Sequence, residues 1–274
     1  EKSLALLSLH AAQGGLFGVA AMGGAAEQAP CYNTFEWGTQ DHQRFTLKMN
    51  DSLGNNDGLT LWKAGYMMTE FIIQNPDLFA GKRVLELGSG IGLACLALSN
   101  VANAEAIMAT DYDPHVLQNL YHNFRVNGLN VVHSDVGVDN ERGEGEAGRT
   151  CYNSRSRVSI RCLDWSAPER AVSIIKEFQP HIMISCDVIY LPEFHGALAS
   201  FYQAALSMDF PDDAPYQHYT YPVAFSVQAN RSEDTFSHYI DTWQAANLRF
   251  QAVATSDLSP CFDYDRAELN FQIG

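Results

Sequence analysis

The chain has 274 residues, 46% of them hydrophobic and 18% charged, which is typical of a globular protein that can bury a sizeable core. Its formal net charge of −15 argues against nucleic-acid binding, because neutralising phosphates needs a basic surface. The acidity either suits a basic protein partner or serves solubility.

The N-terminal region carries no clear targeting signal. Residues 4–26 are apolar and rich in Ala and Gly, but they lack a basic leading segment and include His10 and Gln13. They are therefore a poor candidate for a membrane span or a signal peptide. We predict a partly irregular N-terminal extension over residues 1–57, with strand-like alternation at 44–49, and no association with membranes.

The six cysteines and nine histidines give no metal-binding pattern. None of the cysteines forms a C-x-x-C pair, and no Cys/His group has zinc spacing. We therefore predict no metal site. Free cysteines inside apolar patterns also favour a reducing compartment, so we expect a cytoplasmic protein.

The most informative segment begins after a helical pattern at residues 61–74. Residues 84–87 predict a buried strand, glycines 88, 90 and 92 a tight turn, and residues 93–98 a helix. Glu86 precedes the turn, and Asp111 ends the next apolar run. This layout is typical of a nucleoside-binding α/β unit, although a chance glycine turn in a flavodoxin-like fold is the alternative.

The spacing of the glycines indicates which nucleoside this unit binds. The dinucleotide pattern G-x-G-x-x-G would place a glycine or alanine where this chain has Leu93, which disfavours a dehydrogenase. S-adenosyl-L-methionine fits better, because its amino group can pair with a carboxylate such as Glu86. Its ribose diol can donate two hydrogen bonds to Asp111.

The rest of the chain alternates strand and helix patterns, with a helix at 116–126 after the cap Asp113-Pro114. We predict a doubly wound, Rossmann-like α/β fold with a seven-stranded sheet, mostly parallel, with one antiparallel strand near the C-terminus. One domain is expected over residues 58–274, with a mobile insert at 134–157. The predicted strands are 84–87, 106–111, 158–163, 181–186, 223–227, 248–254 and 268–273.

Four of these strands end in an acid, and ligands of such sheets bind at the carboxyl ends of the strands. Besides Glu86 and Asp111, the strand ends carry Asp164 and Asp187. Asp164 can accept a hydrogen bond from the adenine amine. Trp165 can lie against the adenine face, or can simply pack in the core.

Asp187 and Tyr190 stand where a methyl acceptor would enter. A lysine acceptor, with an ordinary pKa of about 10.4, must first lose its proton. An acidic and aromatic entrance can bind the ammonium by charge and by cation–π contact. The alternative for Asp187 is a helix cap before Leu191-Pro192.

These residues carry a resemblance to a known family. Asp187-Val-Ile-Tyr190 is similar to the D-x-x-Y motif of the seven-β-strand class I methyltransferases that modify protein lysines, and the resemblance covers residues 58–274. The runs Asn75-Pro-Asp-Leu-Phe and Ala224-Phe-Ser-Val resemble the branch that modifies elongation factor 2. Two features depart from that branch: the N-terminal domain expected there is missing or replaced by residues 1–30, and Gln228-Ala-Asn-Arg stands where Arg-Asn-Pro-Glu is expected.

The resemblance implies a set of site residues. Asp187 and Tyr190 would form the acceptor-lysine site. The implied contacts to S-adenosyl-L-methionine are Trp62, Gly88, Ser89, Gly90, Asp111, Trp165 and Cys186.

The function predicted from the sequence is methyl transfer from S-adenosyl-L-methionine to a protein lysine, with elongation factor 2 as the favoured substrate and a monomeric enzyme. A different protein or a small molecule as acceptor remains an alternative, and so does a non-catalytic scaffold that only binds the cofactor. Amino-methylation of adenine or glutamine is disfavoured, because those enzymes carry Asn/Asp-Pro-Pro-Tyr where this chain has Asp187-Val-Ile-Tyr190.

Overall fold

The computed structural model describes residues 31–37, 43–49, 57–136, 156–209, 222–249, 251–253, 258 and 269–273. Residues 1–30 and most of the insert predicted at 134–157 lie outside this described part of the chain. The domain boundaries at residue 57/58 and around the insert therefore stay predictions.

The described residues form ten strands and seven α-helices. The strands are β1 (Cys31–Trp37), β2 (Gln43–Met49), β3 (Arg83–Leu87), β4 (Ala106–Asp111), β5 (Val131–Ser134), β6 (Arg157–Cys162), β7 (Ile182–Cys186), β8 (Val223–Ala229), β9 (Gln251–Val253) and β10 (Leu269–Ile273). The helices are α1 (Lys63–Gln74), α2 (Pro76–Phe79), α3 (Leu93–Asn100), α4 (Pro114–Val126), α5 (Pro168–Phe178), α6 (His195–Leu206) and α7 (Glu233–Ala245). Single 3₁₀ turns cover Asp57–Leu59 and Pro192–Phe194.

The main sheet has eight strands in the order β5-β6-β4-β3-β7-β8-β10-β9. Every pairing from β5 to β8 is parallel, whereas β10 runs antiparallel to both β8 and β9. The doubly wound, mostly parallel sheet with one antiparallel strand near the C-terminus is therefore confirmed. β1 and β2 form a separate antiparallel pair, and β2 lies beside α3 and α4.

The predicted number of seven strands was wrong, because β5 adds an eighth at the edge of the sheet. β5 has four residues, pairs with β6 alone among the described strands, and shifts register between Val131 and His133. His133 and Val132 are both exposed. A short edge strand with polar residues lacks the buried apolar run that marks the central strands.

Helices cover both faces of the sheet, as the alternating pattern predicted. One core layer lies between the sheet and α1, α3 and α4, and the other between the sheet and α5, α6 and α7. Successive strand residues face opposite layers, so Val84 packs in the first layer and Leu85 in the second. Glu86 projects toward α3, in the first layer.

Local signals fix where the helices begin. Asp113 caps α4, because its carboxylate accepts the His115 N–H at 2.8 Å, and Pro114 follows at the first helical position. Ser232 caps α7 by accepting the Thr235 N–H at 3.4 Å. None of the helices in the described residues is long and apolar enough to cross a bilayer.

Candidate active site

An open cleft lies at the carboxyl ends of β3 and β7. The strand order reverses there, because the chain continues from β3 to β4 on one side and later returns to β7 on the other. Ligands of doubly wound sheets bind at such a reversal. The cleft holds about 380 Å³ of empty space, part of it open to solvent. The predicted site residues in its lining are Trp62, Glu86, Gly88, Ser89, Gly90 and Cys186.

The turn after β3 must be glycine, because its backbone approaches neighbouring segments too closely for side chains. A Cβ on Gly92 would overlap Leu120 Cδ1 and lie 2.7 Å from Phe124 Cε1, and the φ of 90° is left-handed. A Cβ on Gly90 would lie 3.2 Å from the Gly58 carbonyl oxygen. This wall of the cleft is therefore backbone, as the sequence predicted.

Glu86 is a buried acid at the base of the cleft. Its side chain is 3% exposed, and Oε2 accepts the Cys95 S–H from α3 at 2.8 Å. Burial raises the pKa of Glu86 to about 7, against the lowering effect of the hydrogen bonds from Cys95 and Ser89. Burying a carboxyl group without a cationic partner is costly, so its position facing an open cleft points to a ligand that brings a positive charge.

Asp111 lies beside the glycine turn and holds it. Its Oδ2 accepts the Gly90 N–H at 3.2 Å, and Oδ1 accepts the N–H groups of Tyr112 at 2.8 Å and Asp113 at 3.2 Å. Burial raises the pKa of Asp111, although these three bonds favour the ionised form. A carboxylate has about four acceptor positions, so capacity remains for a further donor.

The structure does not bring Asp164 or Trp165 into the lining of the cleft. Asp164 is exposed, and its Oδ1 accepts the Ser166 N–H at 2.8 Å and the Ser166 hydroxyl at 2.6 Å. Trp165 packs against the core layer under α5 and α6, and a Cβ on Gly88 would lie 3.8 Å from its ring. Core packing was the alternative for this tryptophan, and its proposed adenine contact stays a prediction.

Asp187 follows β7 in a strained, buried position. Its φ is 55°, in the left-handed region that a non-glycine residue seldom adopts. Oδ1 accepts the Ala229 N–H at 2.8 Å, and Oδ2 accepts Arg231 Nη2–H at 2.8 Å. The next turn, at Pro192–Phe194, has no side-chain cap, so Asp187 does not act as the helix cap that was its alternative.

Tyr190 lies at the rim of the site and is 45% exposed. Partial burial raises its pKa, and the nearby Tyr112 and Asp57 act in the same direction. Tyr112 and Trp62 are also exposed. An aromatic rim therefore adjoins the acidic strand ends.

Sequence reasoning missed the side chains that hold the Asp187–Tyr190 segment from behind. Gln228 Oε1 accepts the Val188 N–H at 2.9 Å, and the buried His195 bonds the Ile189 carbonyl oxygen through Nε2 at 2.8 Å. The sequence did carry a signal for Gln228, because it begins the run that departs from the Arg-Asn-Pro-Glu expected at the end of β8. No sequence signal identified His195, because its contact with Ile189 depends on where α6 packs.

The described residues contain no group of three or more His, Cys, Asp or Glu arranged to hold a metal ion. The geometry of the cleft instead fits a sulfonium nucleoside amino acid. Glu86 supplies an anionic carboxyl for its amino group, and the Gly88–Gly90 backbone leaves room for a close approach.

Comparisons with known proteins agree with this geometry. Residues 41–140 match a family model described as lysine methyltransferase. The chain is 32% identical over 165 residues to the human protein-lysine N-methyltransferase EEF2KMT, which covers 57% of this chain and 45% of that protein. It is 28% identical over 233 residues to an uncharacterised protein of Dictyostelium discoideum, covering 82% of this chain and 60% of that protein.

The fold has a counterpart among solved structures. The T. thermophilus 16S rRNA N2 G1207 methyltransferase RsmC, solved with AdoMet and guanosine, aligns with a TM-score of 0.51 at 15% identity. The alignment covers 91% of this chain and 52% of that one, and it supports the fold alone. The chain spans between 45% and 62% of the length of the first curated relatives that it matches. The resemblance to the lysine methyltransferase family, predicted from the strand-end motifs, is confirmed by these matches.

Proposed function

We propose that this chain transfers a methyl group from S-adenosyl-L-methionine to a lysine side chain of a protein, with elongation factor 2 as the favoured substrate. The observation that carries the proposal is Glu86, a buried carboxyl at the base of a cleft formed by the glycine turn, with no cationic partner among the described residues. A positively charged amino group would stabilise its ionised form.

The chain offers separate groups for each part of the cofactor, which supplies the electrophilic methyl group when bound. Glu86 would pair with the amino group, and Asp111 would accept the ribose hydroxyls. Trp62, Ser89 and Cys186 lie in the same cleft lining and would make further contacts. Asp164 and Trp165 are proposed for the adenine, which requires Asp164 to share its carboxylate between Ser166 and the ligand.

Asp187 and Tyr190 would receive the acceptor lysine. The ammonium must lose its proton before it can attack, so the site has to bind the cation and then position the neutral amine. A buried carboxylate can accept an N–H bond from either form. The exposed Tyr190, with Tyr112 nearby, offers aromatic surface to the aliphatic part of the side chain.

The name of the human relative supports elongation factor 2 as the substrate. A protein substrate also agrees with the family description of residues 41–140. A monomeric enzyme that acts in the cytoplasm and binds no nucleic acid stays a prediction, for which the formal charge of −15 is one argument.

Calorimetry with S-adenosyl-L-methionine tests the cofactor part of the proposal. Because the pKa of Glu86 is about 7 and a bound ammonium would lower it, binding at pH 6 should release close to one proton. The affinity should then rise from pH 5 to pH 7 and fall again above about pH 8, where the amino group of the ligand loses its proton. Glu86→Gln should remove the proton release, whereas release that persists in this variant would refute the assigned role.

Labelling with tritiated cofactor tests the acceptor. Purified elongation factor 2 and a whole-cell lysate are incubated in parallel with the enzyme, and the labelled band is identified by mass spectrometry. Labelled lysine in elongation factor 2 is the expected result. Another labelled protein or a labelled small molecule would redirect the substrate assignment, and cofactor binding without any labelled product would support the scaffold alternative.

A further inference from the structure

The carboxylate predicted to receive the substrate cation already holds a cation of this chain. Arg231, in the loop between β8 and α7, donates Nη2–H to Asp187 Oδ2 at 2.8 Å. The other oxygen accepts the Ala229 N–H. Both carboxylate oxygens are thus engaged, and the charge of Asp187 is balanced by the guanidinium.

The same guanidinium lies on an aromatic face. Arg231 Cζ is 4.6 Å from the centroid of the Trp62 ring, within cation–π range. The ring is itself fixed, because Trp62 Nε1–H donates to the Asp57 carbonyl oxygen at 3.0 Å. Arg231 therefore satisfies the two attractions, charge and aromatic surface, that were predicted for the substrate ammonium.

The two partners of this pair are unequally exposed. The Asp187 side chain is 3% exposed, whereas that of Arg231 is 42% exposed. The carboxylate is held in place by the Ala229 N–H, but the guanidinium can turn into water and be hydrated there. The cost of displacing Arg231 therefore falls mainly on the buried carboxylate of Asp187, and it is offset when an incoming cation takes the place of the guanidinium.

We propose that Arg231 is a resident cation that occupies the acceptor position and has to be displaced by the substrate ammonium. This proposal rests on the proposed function and adds a basis for discriminating between charged and uncharged acceptors. An incoming cation can replace the charge that Asp187 loses, whereas a neutral acceptor would leave a buried carboxylate uncompensated. Arg231 thereby favours a charged lysine over uncharged acceptors.

A binding experiment without cofactor tests the displacement. Nα-acetyl-lysine N-methylamide is titrated into the whole protein, and ¹H–¹⁵N spectra follow the Ala229 amide and the Trp62 indole N–H, which report on both sides of Arg231. The probe should shift both signals. Arg231→Gln, which keeps a donor but removes the competing charge, should bind it about three- to five-fold more tightly.

Three controls complete the experiment. Arg157→Gln removes the guanidinium of an exposed pair with Glu105 and should leave the probe affinity unchanged. Arg231→Lys keeps the charge but loses the planar stacking, so its affinity for the probe should fall between those of wild type and Arg231→Gln. If the glutamine variant does not fold, the lysine variant alone tests whether Arg231 competes with the probe. The uncharged Nε-acetylated probe should shift neither signal.

Unchanged or weaker binding by Arg231→Gln would overturn the proposal, because Arg231 would then be a support for the Asp187 segment. The absence of any shift in all the variants would also overturn it. Failure of the proposed methyltransferase function would appear separately, as a lack of S-adenosyl-L-methionine binding in calorimetry, since the probe titration needs no cofactor.

Discussion

The buried carboxyl group of Glu86 should make the stability of this protein fall as the pH rises. The pKa of Glu86 is raised from its ordinary 4.5 to about 7 by burial, so the folded state retains a proton that the unfolded chain has lost between these values. Stability falls with pH wherever the folded state binds more protons. Glu86 therefore has no effect on the free energy of unfolding below about pH 4.5, and it destabilises the folded state increasingly as the pH rises to about 7.

The magnitude follows from the same two values. A pKa unit corresponds to about 1.4 kcal/mol, so the full effect is about 3 kcal/mol. Glu86→Gln mimics the protonated acid and can still accept the Cys95 S–H. Relative to wild type, the variant should gain about 1 kcal/mol in the free energy of unfolding at pH 5 and about 3 kcal/mol at pH 8.

Urea unfolding at pH 5, 6, 7 and 8, followed by far-UV circular dichroism, measures this difference. Glu105→Gln, which removes an exposed carboxylate paired with Arg157, controls for the loss of one negative charge. A gap between wild type and Glu86→Gln that stays constant over this pH range would refute the reasoning, because Glu86 would then ionise like an ordinary carboxyl group.

Three further changes, at Gly92, Asp111 and Asp187, test the turn and two other strand-end acids, and a fourth, at Gly196, is a control. Asp111→Asn keeps an acceptor for the turn but loses the charge, and calorimetry should record about tenfold weaker S-adenosyl-L-methionine binding. The Asp187→Asn variant should bind the cofactor normally but show no methyl transfer in the tritium assay. Retained transfer would show that the Asp187 carboxylate does not receive the acceptor lysine. Gly92→Ala should lower the unfolding free energy by about 2–4 kcal/mol, because its Cβ meets Leu120 and Phe124 at a left-handed φ. Gly196→Ala, helical and in open space, should instead stabilise by about 0.5 kcal/mol in the same urea titration.

The sequence predicted the central strands well, because each is a short apolar run bounded by turn residues and buried on both faces. β3, β4 and β7 lie within a residue or two of their predicted bounds. The edge strand β5 was missed, since its stability comes from pairing with β6 and it carries little hydrophobic pattern. The hydrophobic periodicity of a segment indicates which of its residues are buried, but it does not indicate whether a strand pairs at an exposed edge of the sheet.

The site was predicted unevenly for a similar reason. Glu86, Ser89 and Cys186 reach the cleft because parallel strands place their carboxyl ends at one edge. Asp164 differs, because Ser166 two residues later offers a local hydrogen-bonding partner that competes with any ligand. The contact of Arg231 with Asp187 joins two loops 44 residues apart, and no local pattern encodes it.

The position of β10 has a consequence for how this protein folds during synthesis. β10 is the last strand of the sheet in the chain, yet it lies between β8 and β9 and connects β9 to the rest. Until the ribosome has released residues 269–273, β9 lacks the strand with which it pairs in the described part of the chain, and β8 presents an open edge that can pair with other chains. The sheet therefore closes only after β10 has followed β8 and β9 out of the ribosome, and a nascent protein stalled before that point should depend on chaperones to avoid aggregation.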